Sequence, residues 1–280
     1  MTTRAWVNGR LTDADEPVLL ANDHGLTVGD GVFETCKILH GEVYALTRHL
    51  NRLAVSAAGL ALPEPDLDRI RAGIAELLAA EQPIAFGRLR ITVTGGSGPL
   101  GSDRLPGAGT CVLQAAAQEP PAATSAAVVV PWVRNERSAV AGIKTTSYAE
   151  NVVALAYAKA RGASEALLAN SRGDLCEGTG SNVFVVADGE LVTPPLSAGP
   201  LAGISRGLLL EWAADSGLPV REGSLPIEIL GQSATVLLTS SIRDVQPVHS
   251  LDGRALDVES DLAVRAVALF AERAAEGMDP

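Results

Sequence analysis

A mixed α/β chain built as two domains is the fold the sequence predicts, and three observations carry that expectation. Segments alternating with period two, such as Gly87 to Thr94, interleave with segments of helical period, such as Leu46 to Leu62, in both halves of the chain. Between the halves lies a Pro- and Ala-rich stretch, Gln118-Glu119-Pro120-Pro121-Ala122-Ala123-Thr124-Ser125, the best linker candidate. At 280 residues, 47% of them hydrophobic, the chain is long enough for one large or two medium cores. Residues 1–118 are therefore expected as a small N-terminal α/β domain, 119–125 as the linker and 126–280 as a larger α/β domain.

Each element has a local reason. Ala5 to Leu11 reads as a strand and turn, with Asn8-Gly9 as the hairpin signal. Val32 to Leu39 and Glu42 to Ala45 read as strands joined by His40-Gly41. Leu46, Leu50, Leu53, Ala57 and Leu60 recur at helical spacing, which predicts an amphipathic helix over Leu46 to Leu62, ended by Pro63. A second helix, Asp66 to Glu81, presents Leu67, Ile70, Ile74, Leu77 and Leu78. In Gly87 to Thr94 the residues Arg88, Arg90, Thr92 and Thr94 alternate with Leu89, Ile91 and Val93, a strand with one polar face. Thr110 to Ala117 follows as a strand. Beyond the linker the expected strands are Ala126 to Val133, Ala166 to Ala169, Asn182 to Ala187, Glu190 to Thr193 and Thr235 to Thr239. Helices are expected over Ala149 to Ala160, Ile204 to Ser216 and Asp257 to Ala275.

Composition excludes several function classes. A net charge of −11 repels polyphosphate backbones, so no nucleic-acid partner is expected. No apolar run approaches the ~18 residues of a membrane span, and Met1 to Trp6 lacks the apolar core of a signal peptide. Cys36, Cys111 and Cys176 are odd in number and widely spaced, which reads as free thiols in a reducing, cytoplasmic setting. His24, His40, His49 and His249 lie without metal-ligand spacing, so no metal site is expected. Gly96-Ser97-Gly98-Pro99-Leu100-Gly101 formally fits a dinucleotide fingerprint. Pro99 and the Ser102 to Pro106 segment forbid the helix such a site requires, and the stretch reads as a flexible loop.

Two stretches carry chemistry. Gly142-Ile143-Lys144-Thr145-Thr146-Ser147-Tyr148-Ala149-Glu150-Asn151 sets one lysine among small hydroxylated residues before a helix-prone run. A lysine losing hydration near a buried helix edge becomes a nucleophile toward a carbonyl, although a lone lysine is more often a solvated surface charge. Leu175-Cys176-Glu177-Gly178-Thr179-Gly180-Ser181-Asn182-Val183-Phe184-Val185 sets a carboxylate at the head of an apolar strand. Glu177 alone would read as an exposed turn glutamate, but the Gly-Thr-Gly-Ser-Asn run after it is unusual for an ordinary turn.

Together these stretches resemble the class IV aminotransferases, pyridoxal-phosphate enzymes of fold type IV. That family includes branched-chain aminotransferases, D-amino-acid aminotransferases and 4-amino-4-deoxychorismate lyases. The resemblance runs from Asp23-His24-Gly25-Leu26-Thr27-Val28-Gly29-Asp30-Gly31-Val32-Phe33-Glu34 to the Pro247–Gly253 region. It implies a small N-terminal domain, a larger C-terminal pseudo-barrel domain, a homodimer and pyridoxal 5′-phosphate as cofactor. It also implies that Lys144 forms the Schiff base and shuttles a proton, and that Glu177 pairs with the pyridine nitrogen. Arg52, within His49-Leu50-Asn51-Arg52-Leu53, matches the family's phosphate-binding arginine; taken alone it reads equally as a helix arginine with its head in water. Ile204 and Ser205 match the helix start that receives the phosphate, where unpaired N–H groups favour an anion, and Ser241 matches a phosphate-side hydroxyl. Tyr148 stands four residues after the lysine where some relatives have a tyrosine at five. It is assigned either to the cofactor's phenolic oxygen or to a packed wall.

The resemblance divides over substrate. D-amino-acid enzymes carry tyrosine where this chain has Phe33, and an arginine-containing loop start where it has Gly95. Branched-chain enzymes have glycine where Thr35 stands, and the basic residue of the lyases' loop is absent. Two replacements for the lost carboxylate trap are Arg243, just past Ser241-Ile242, and Arg90, with Arg88 beside it on the same strand face; each reads otherwise as a surface ion pair. The expected activity is transfer of an amino group from an amino acid, D-alanine or a similar D-amino acid preferred, to a 2-oxo acid such as 2-oxoglutarate. The alternatives are the lyase, a branched-chain L-amino-acid aminotransferase, or a cofactor carrier without turnover.

Overall fold

In the computed structural model residues 4–107 and 109–280 are described, and Met1, Thr2, Thr3 and Ala108 lie outside the described residues. The chain forms two compact units: residues 1–120 with 143–147 and 278–280, and residues 121–142 with 148–277.

The first unit contains strands β1 (Arg4–Val7) and β2 (Arg10–Asp13), the short helix α1 (His24–Thr27), strands β3 (Gly31–Leu39) and β4 (Glu42–Val43), helices α2 (Leu46–Gly59) and α3 (Leu67–Ala80), and strands β5 (Phe86–Thr94) and β6 (Thr110–Ala117). Its sheet runs β2-β1-β6-β5-β3-β4, antiparallel throughout. Alternation divides the sheet's faces. Val32, Cys36, Ile38, Leu89, Ile91 and Val93 join the core with Leu50 and Leu53 of α2 and Ile70, Ile74 and Leu77 of α3. The opposite face presents Phe33, Thr35, Arg88, Arg90 and Thr92, because Phe33 lies opposite Thr92, Thr35 opposite Arg90 and Lys37 opposite Arg88.

Helix α2 is shorter than its periodicity predicts. Its N-cap, Ala45, is left-handed at φ 53° and offers no side-chain cap. The Thr47 N–H donates instead to Asp279, 2.8 Å away, from the end of the chain. The helix stops at Gly59, before Pro63, because Ala61 turns left-handed at φ 53°. A Cβ at Gly59 would stand 2.8 Å from Ile143 Cδ1, so glycine there seats the residue beside Lys144.

The second unit contains β7 (Ser125–Arg134), α4 (Ala149–Lys159), β8 (Glu165–Asn170), β9 (Leu175–Gly178), β10 (Asn182–Ala187), β11 (Glu190–Thr193), α5 (Ile204–Ser216), β12 (Val220–Glu222), α6 (Ile229–Gln232), β13 (Val236–Ser240), β14 (Asp244–Leu251), β15 (Arg254–Ala255) and α7 (Asp261–Ala274). Its sheet runs β12-β11-β10-β13-β14-β7-β8-β9, with β15 on β14. β7 pairs in parallel with β14 and β8, and β11 with β12; α4 and α5 are the crossovers that β7–β8 and β11–β12 require. Trp212 of α5 meets Phe270 of α7 edge-on at 5.0 Å between ring centroids.

Further features depart from the sequence expectation. β14 lies between β13 and β7 although Pro247 interrupts its donor row; the register with β7 shifts between Val248 and Ser250. β9, which carries Glu177, is a strand too short for its alternation to show. α7 starts at Asp261 rather than Asp257 because the Ser260 side chain caps it from outside, accepting from the Ala263 N–H. Cys36 and Cys176 are buried free thiols and Cys111 is half-buried. Among the described residues no helix is long and apolar enough to cross a membrane.

Candidate active site

The candidate residues divide between the two units. In the first, residues 144–146 run beside the free edge of β3. The Phe33 N–H donates to the Lys144 carbonyl at 3.0 Å, the Thr146 N–H to the Gly31 carbonyl at 2.8 Å, and Thr145 bridges Val32. The Thr146 and Ser147 hydroxyls both donate to the Gly29 carbonyl, at 2.9 and 3.0 Å. Such close approach needs glycine: a Cβ at Gly31 would lie 2.9 Å from the Val93 carbonyl oxygen and 3.0 Å from the Thr146 hydroxyl. Between these glycines, Asp30 pairs with Arg104, whose guanidinium also donates to the carbonyls of Leu60 and Ala61 at 2.8 and 2.6 Å. The lysine backbone is thus fixed, and its Nζ stands 4.4 Å from the Phe33 ring centroid.

The polar sheet face brings a second cation to that ring. Arg90 Cζ lies 3.3 Å from the Phe33 centroid, and Arg90 Nε donates to the Thr92 hydroxyl at 3.3 Å. Thr35 is cross-strand from Arg90 and Arg88 is two residues along, solvent-exposed. Phe33, Arg90 and Lys144 therefore form one cluster.

Arg52 turns toward the helix-covered face. Its Nε donates to Glu34 Oε1 at 2.8 Å and its Nη2 to Oε2 at 2.7 Å, while His49 Nδ1 lies 2.7 Å from Oε2. Burial alone would push the Glu34 carboxyl up; Arg52 and His49 outweigh it and hold its pKa down to about 2. Burial lowers the pKa of His49, with Glu34 opposing. A carboxylate only accepts, so the uncharged His49 carries its hydrogen on Nδ1. Sequence reasoning missed Glu34 and His49 as site residues. The signal was present: Glu34 falls on the same strand parity as Val32, Cys36 and Ile38, a charge at a core position.

In the second unit β9 delivers Glu177. Its Oε1 accepts from Arg134 Nε at 3.1 Å and its Oε2 from the Leu201 N–H at 2.9 Å. The 178–182 loop after it is organised by buried Glu165, which accepts from the Thr179 hydroxyl, the Gly180 N–H at 3.2 Å and the Ser181 hydroxyl at 3.1 Å. Arg243 belongs to this network. It pairs with Glu165 at 3.4 Å and donates to Gln246 Oε1 at 2.8 Å and to the Ser164 carbonyl at 3.1 Å. The Tyr148 hydroxyl lies 3.4 Å from the Thr179 carbonyl, against the same loop. Neither Glu165 nor Arg134 carried any local sequence signal.

At the start of α5 the first backbone N–H groups point out of the helix. Gly203 precedes Ile204 and Ser205 as N-cap, and no side chain caps the helix. Asn182 reaches across to it, donating to the Leu201 carbonyl at 2.8 Å, and Thr239 is the cross-strand neighbour of Asn182. Among the described residues the Thr239 hydroxyl is buried with no hydrogen-bond partner. Ser241 follows in the turn after β13, where Ser240 Oγ accepts from the Arg243 N–H at 3.2 Å. Thr239 was passed over from the sequence in favour of Ser241.

Known proteins align with this chain over nearly all of its length. It is 29% identical over 258 residues to a putative branched-chain-amino-acid aminotransferase of Methanocaldococcus jannaschii, covering 91% of this chain and 90% of the relative. A bifunctional aminodeoxychorismate lyase / D-amino acid transaminase of Mycobacterium tuberculosis is 30% identical over 272 residues, covering 89% of this chain and 91% of its own. The solved fold IV-transaminase of Curtobacterium pusillum superposes with a TM-score of 0.83 at 31% identity, over 96% of this chain and 93% of that one. The amino-transferase class IV family model matches residues 31–251. The family uses pyridoxal phosphate, acting on amino acids and their keto acids. By this match and these likenesses the chain belongs to the class IV aminotransferases, the pyridoxal-phosphate-dependent transaminases of fold type IV.

Proposed function

We propose that this transaminase moves an amino group from a D-amino acid, D-alanine or one of similar size, to a 2-oxo acid such as 2-oxoglutarate. The observation that carries the reading is the pairing of Lys144 and Arg90 on one aromatic ring, Nζ at 4.4 Å and Cζ at 3.3 Å from the Phe33 centroid. An amine-bearing residue and a planar carboxylate-binding fork against one ring suit a small α-amino acid of either hand, and the D preference rests on the likeness of Val32-Phe33-Glu34 to the D-amino-acid aminotransferases. Arg243, the other arginine expected to take a carboxylate, is committed to Glu165, Gln246 and the Ser164 carbonyl, so the role passes to Arg90. Phe33, Thr35 and Arg88 form the rest of the substrate wall in this reading.

The residues fit the cofactor. A buried, partnerless Thr239 hydroxyl near an uncapped helix start is what an anionic group would satisfy. Ile204, Ser205 and Ser241 would hold the phosphate there with Thr239; Arg52, matched to the family's phosphate-binding arginine, has its guanidinium on Glu34. Glu177 would accept from the ring nitrogen, and Tyr148 would wall the ring. When bound, pyridoxal phosphate supplies the carbonyl that takes the substrate amine and a ring that absorbs the electrons left at Cα. Lys144 Nζ would take the Cα proton of the substrate and give it back later in the transfer. Glu177, held as an acceptor on both oxygens, would keep the ring nitrogen protonated. The working form in this reading is a cytoplasmic homodimer.

A panel of single-turnover reactions with D-alanine, L-leucine and 4-amino-4-deoxychorismate tests the proposal. D-alanine should give the fastest amino transfer. The name of the mycobacterial relative keeps the lyase as a second reading. Pyruvate from the chorismate derivative with no reaction on D-alanine would install it, and L-leucine as the best donor would make the enzyme a branched-chain type.

A further inference from the structure

We propose that Arg134 is a positioning residue for the transamination step, acting on the chemistry through Glu177. The inference rests on the reading that Glu177 accepts from the cofactor's ring nitrogen. Arg134 ends β7, and β9 brings Glu177 beside it, with both side chains mostly buried. Its guanidinium spends three nitrogens on three different acceptors. Nε donates to Glu177 Oε1 at 3.1 Å, Nη1 to Glu150 Oε2 at 3.1 Å and Nη2 to Asn151 Oδ1 at 3.3 Å. Asn151 is itself fixed, its amide donating to the Thr179 carbonyl at 2.5 Å. The plane of the fork is therefore set by two residues of α4 and, through Asn151, by the loop that follows Glu177.

The consequence falls on the carboxylate. Arg134 takes one oxygen and the Leu201 N–H the other, so Glu177 cannot rotate without breaking a hydrogen bond. Both bonds require Glu177 to accept, and accepting is what a protonated ring nitrogen asks of it. Glu150, which is solvent-exposed, offsets the guanidinium charge, so Arg134 can fix the carboxylate while its own positive charge is partly cancelled. An arginine present for strand stability alone would not need one acceptor on Glu177 and a second, Asn151, that is tied to the loop following it. Glutamine at 134 would keep a donor for Glu177 but lose the charge and the three-way fork. Lysine would keep the charge and lose the fork.

A double-mutant cycle on the purified holoenzyme tests this, using the amino donor that reacts fastest. Arg134→Gln should slow the single-turnover rate roughly tenfold, the effect of one charge-assisted hydrogen bond, with donor KM changed less than about twofold. It should also alter the pH dependence of the resting enzyme's cofactor absorbance, which needs no substrate. Arg134→Lys should recover part of the rate. In the Glu177→Gln background the same Arg134→Gln change should cost less than about twofold, because its route to the chemistry is gone. An equal loss in both backgrounds, or an unchanged absorbance profile with a lowered melting temperature, would make Arg134 a structural residue only and overturn the inference. Should Glu177→Gln alone leave both rate and absorbance untouched, the reading of Glu177 itself fails, and the inference with it. Thermal melts of each variant separate these outcomes from misfolding, and Arg134→Lys carries the test if Arg134→Gln does not fold.

Discussion

Glu34 and Arg52 form a two-point ion pair inside the first unit, Nε to Oε1 at 2.8 Å and Nη2 to Oε2 at 2.7 Å, with the carboxylate wholly removed from solvent. His49 completes it from the same helix face, one turn before Arg52. A buried carboxylate survives as an anion only when paired, and two partners on one helix make Glu34 a joint between β3 and α2.

This joint predicts acid sensitivity. Glu34 titrates near 2 against an ordinary 4.5, so as pH falls from 4.5 toward 2 the unfolded chain binds a proton that the folded one refuses. His49, whose pKa is lowered from 6.5, acts in the same direction at higher pH, its unfolded form charging first. Stability should therefore fall on acidification, beginning near 6.5 and steepening below 4.5, with Glu34 contributing on the order of 3 kcal/mol across its window. Urea unfolding between pH 4 and 7 checks the upper part. A Glu34→Gln variant should be less stable at pH 7 yet less dependent on pH below 5; an unchanged pH slope in that variant would place the acid sensitivity elsewhere.

Substrate use should separate the two candidate arginines. Arg90→Ala should weaken amino-donor use by roughly one to two orders of magnitude, the loss of a charge-assisted two-point contact, with cofactor affinity little changed. Arg243→Ala should act differently. It leaves buried Glu165 with hydroxyl and backbone partners but no cation, so the melting temperature should drop before donor preference shifts. Donor KM values and melting curves for the two variants decide the matter, and a reversed pattern would return the carboxylate to Arg243.

The sequence made much of this arrangement legible, for reasons that differ by residue. Lys144 and Glu177 stood in motifs rich in small residues, and the structure shows why at Gly178, where a Cβ would meet the Ser181 and Glu165 side chains, and at Gly31, where it would meet the Val93 carbonyl oxygen and the Thr146 side chain. The polar face of β5 followed from strict alternation, which placed Arg90 in view. What stayed hidden depended on tertiary pairing. Nothing near Arg243 announces Glu165, and nothing near Arg134 announces Glu177; strands β7, β8 and β9 must assemble before those pairs exist. β14 was obscured by Pro247, which local rules remove from a central strand and which a register shift accommodates. Ala45 read as a strand end because its cap, Asp279, comes from the far end of the chain.

Glu177→Gln should still bind cofactor, since its amide oxygen can accept from a ring N–H and from the Leu201 N–H, but its NH2 group then faces the Arg134 Nε–H and should lower the melting temperature. Losing the charge opposite a protonated ring in a water-poor site removes an electrostatic stabilisation of several kcal/mol. The step that slows should be Cα proton removal, seen as a larger isotope effect with Cα-deuterated donor. A near-parental single-turnover rate would show that another group meets the ring nitrogen.

In this reading Lys144 holds the cofactor and moves the proton, and it has two competitors, because the chain contains three lysines, Lys37, Lys144 and Lys159. Lys37 is buried against the Tyr44 ring at 4.7 Å, and Lys159 lies exposed in the last turn of α4. Borohydride reduction of the holoenzyme, followed by proteolysis and mass spectrometry, should place the reduced cofactor on the peptide containing Lys144. Lys144→Ala should lose both the label and the yellow absorbance. A label on Lys37 or Lys159, or one that persists in Lys144→Ala, would contradict the account.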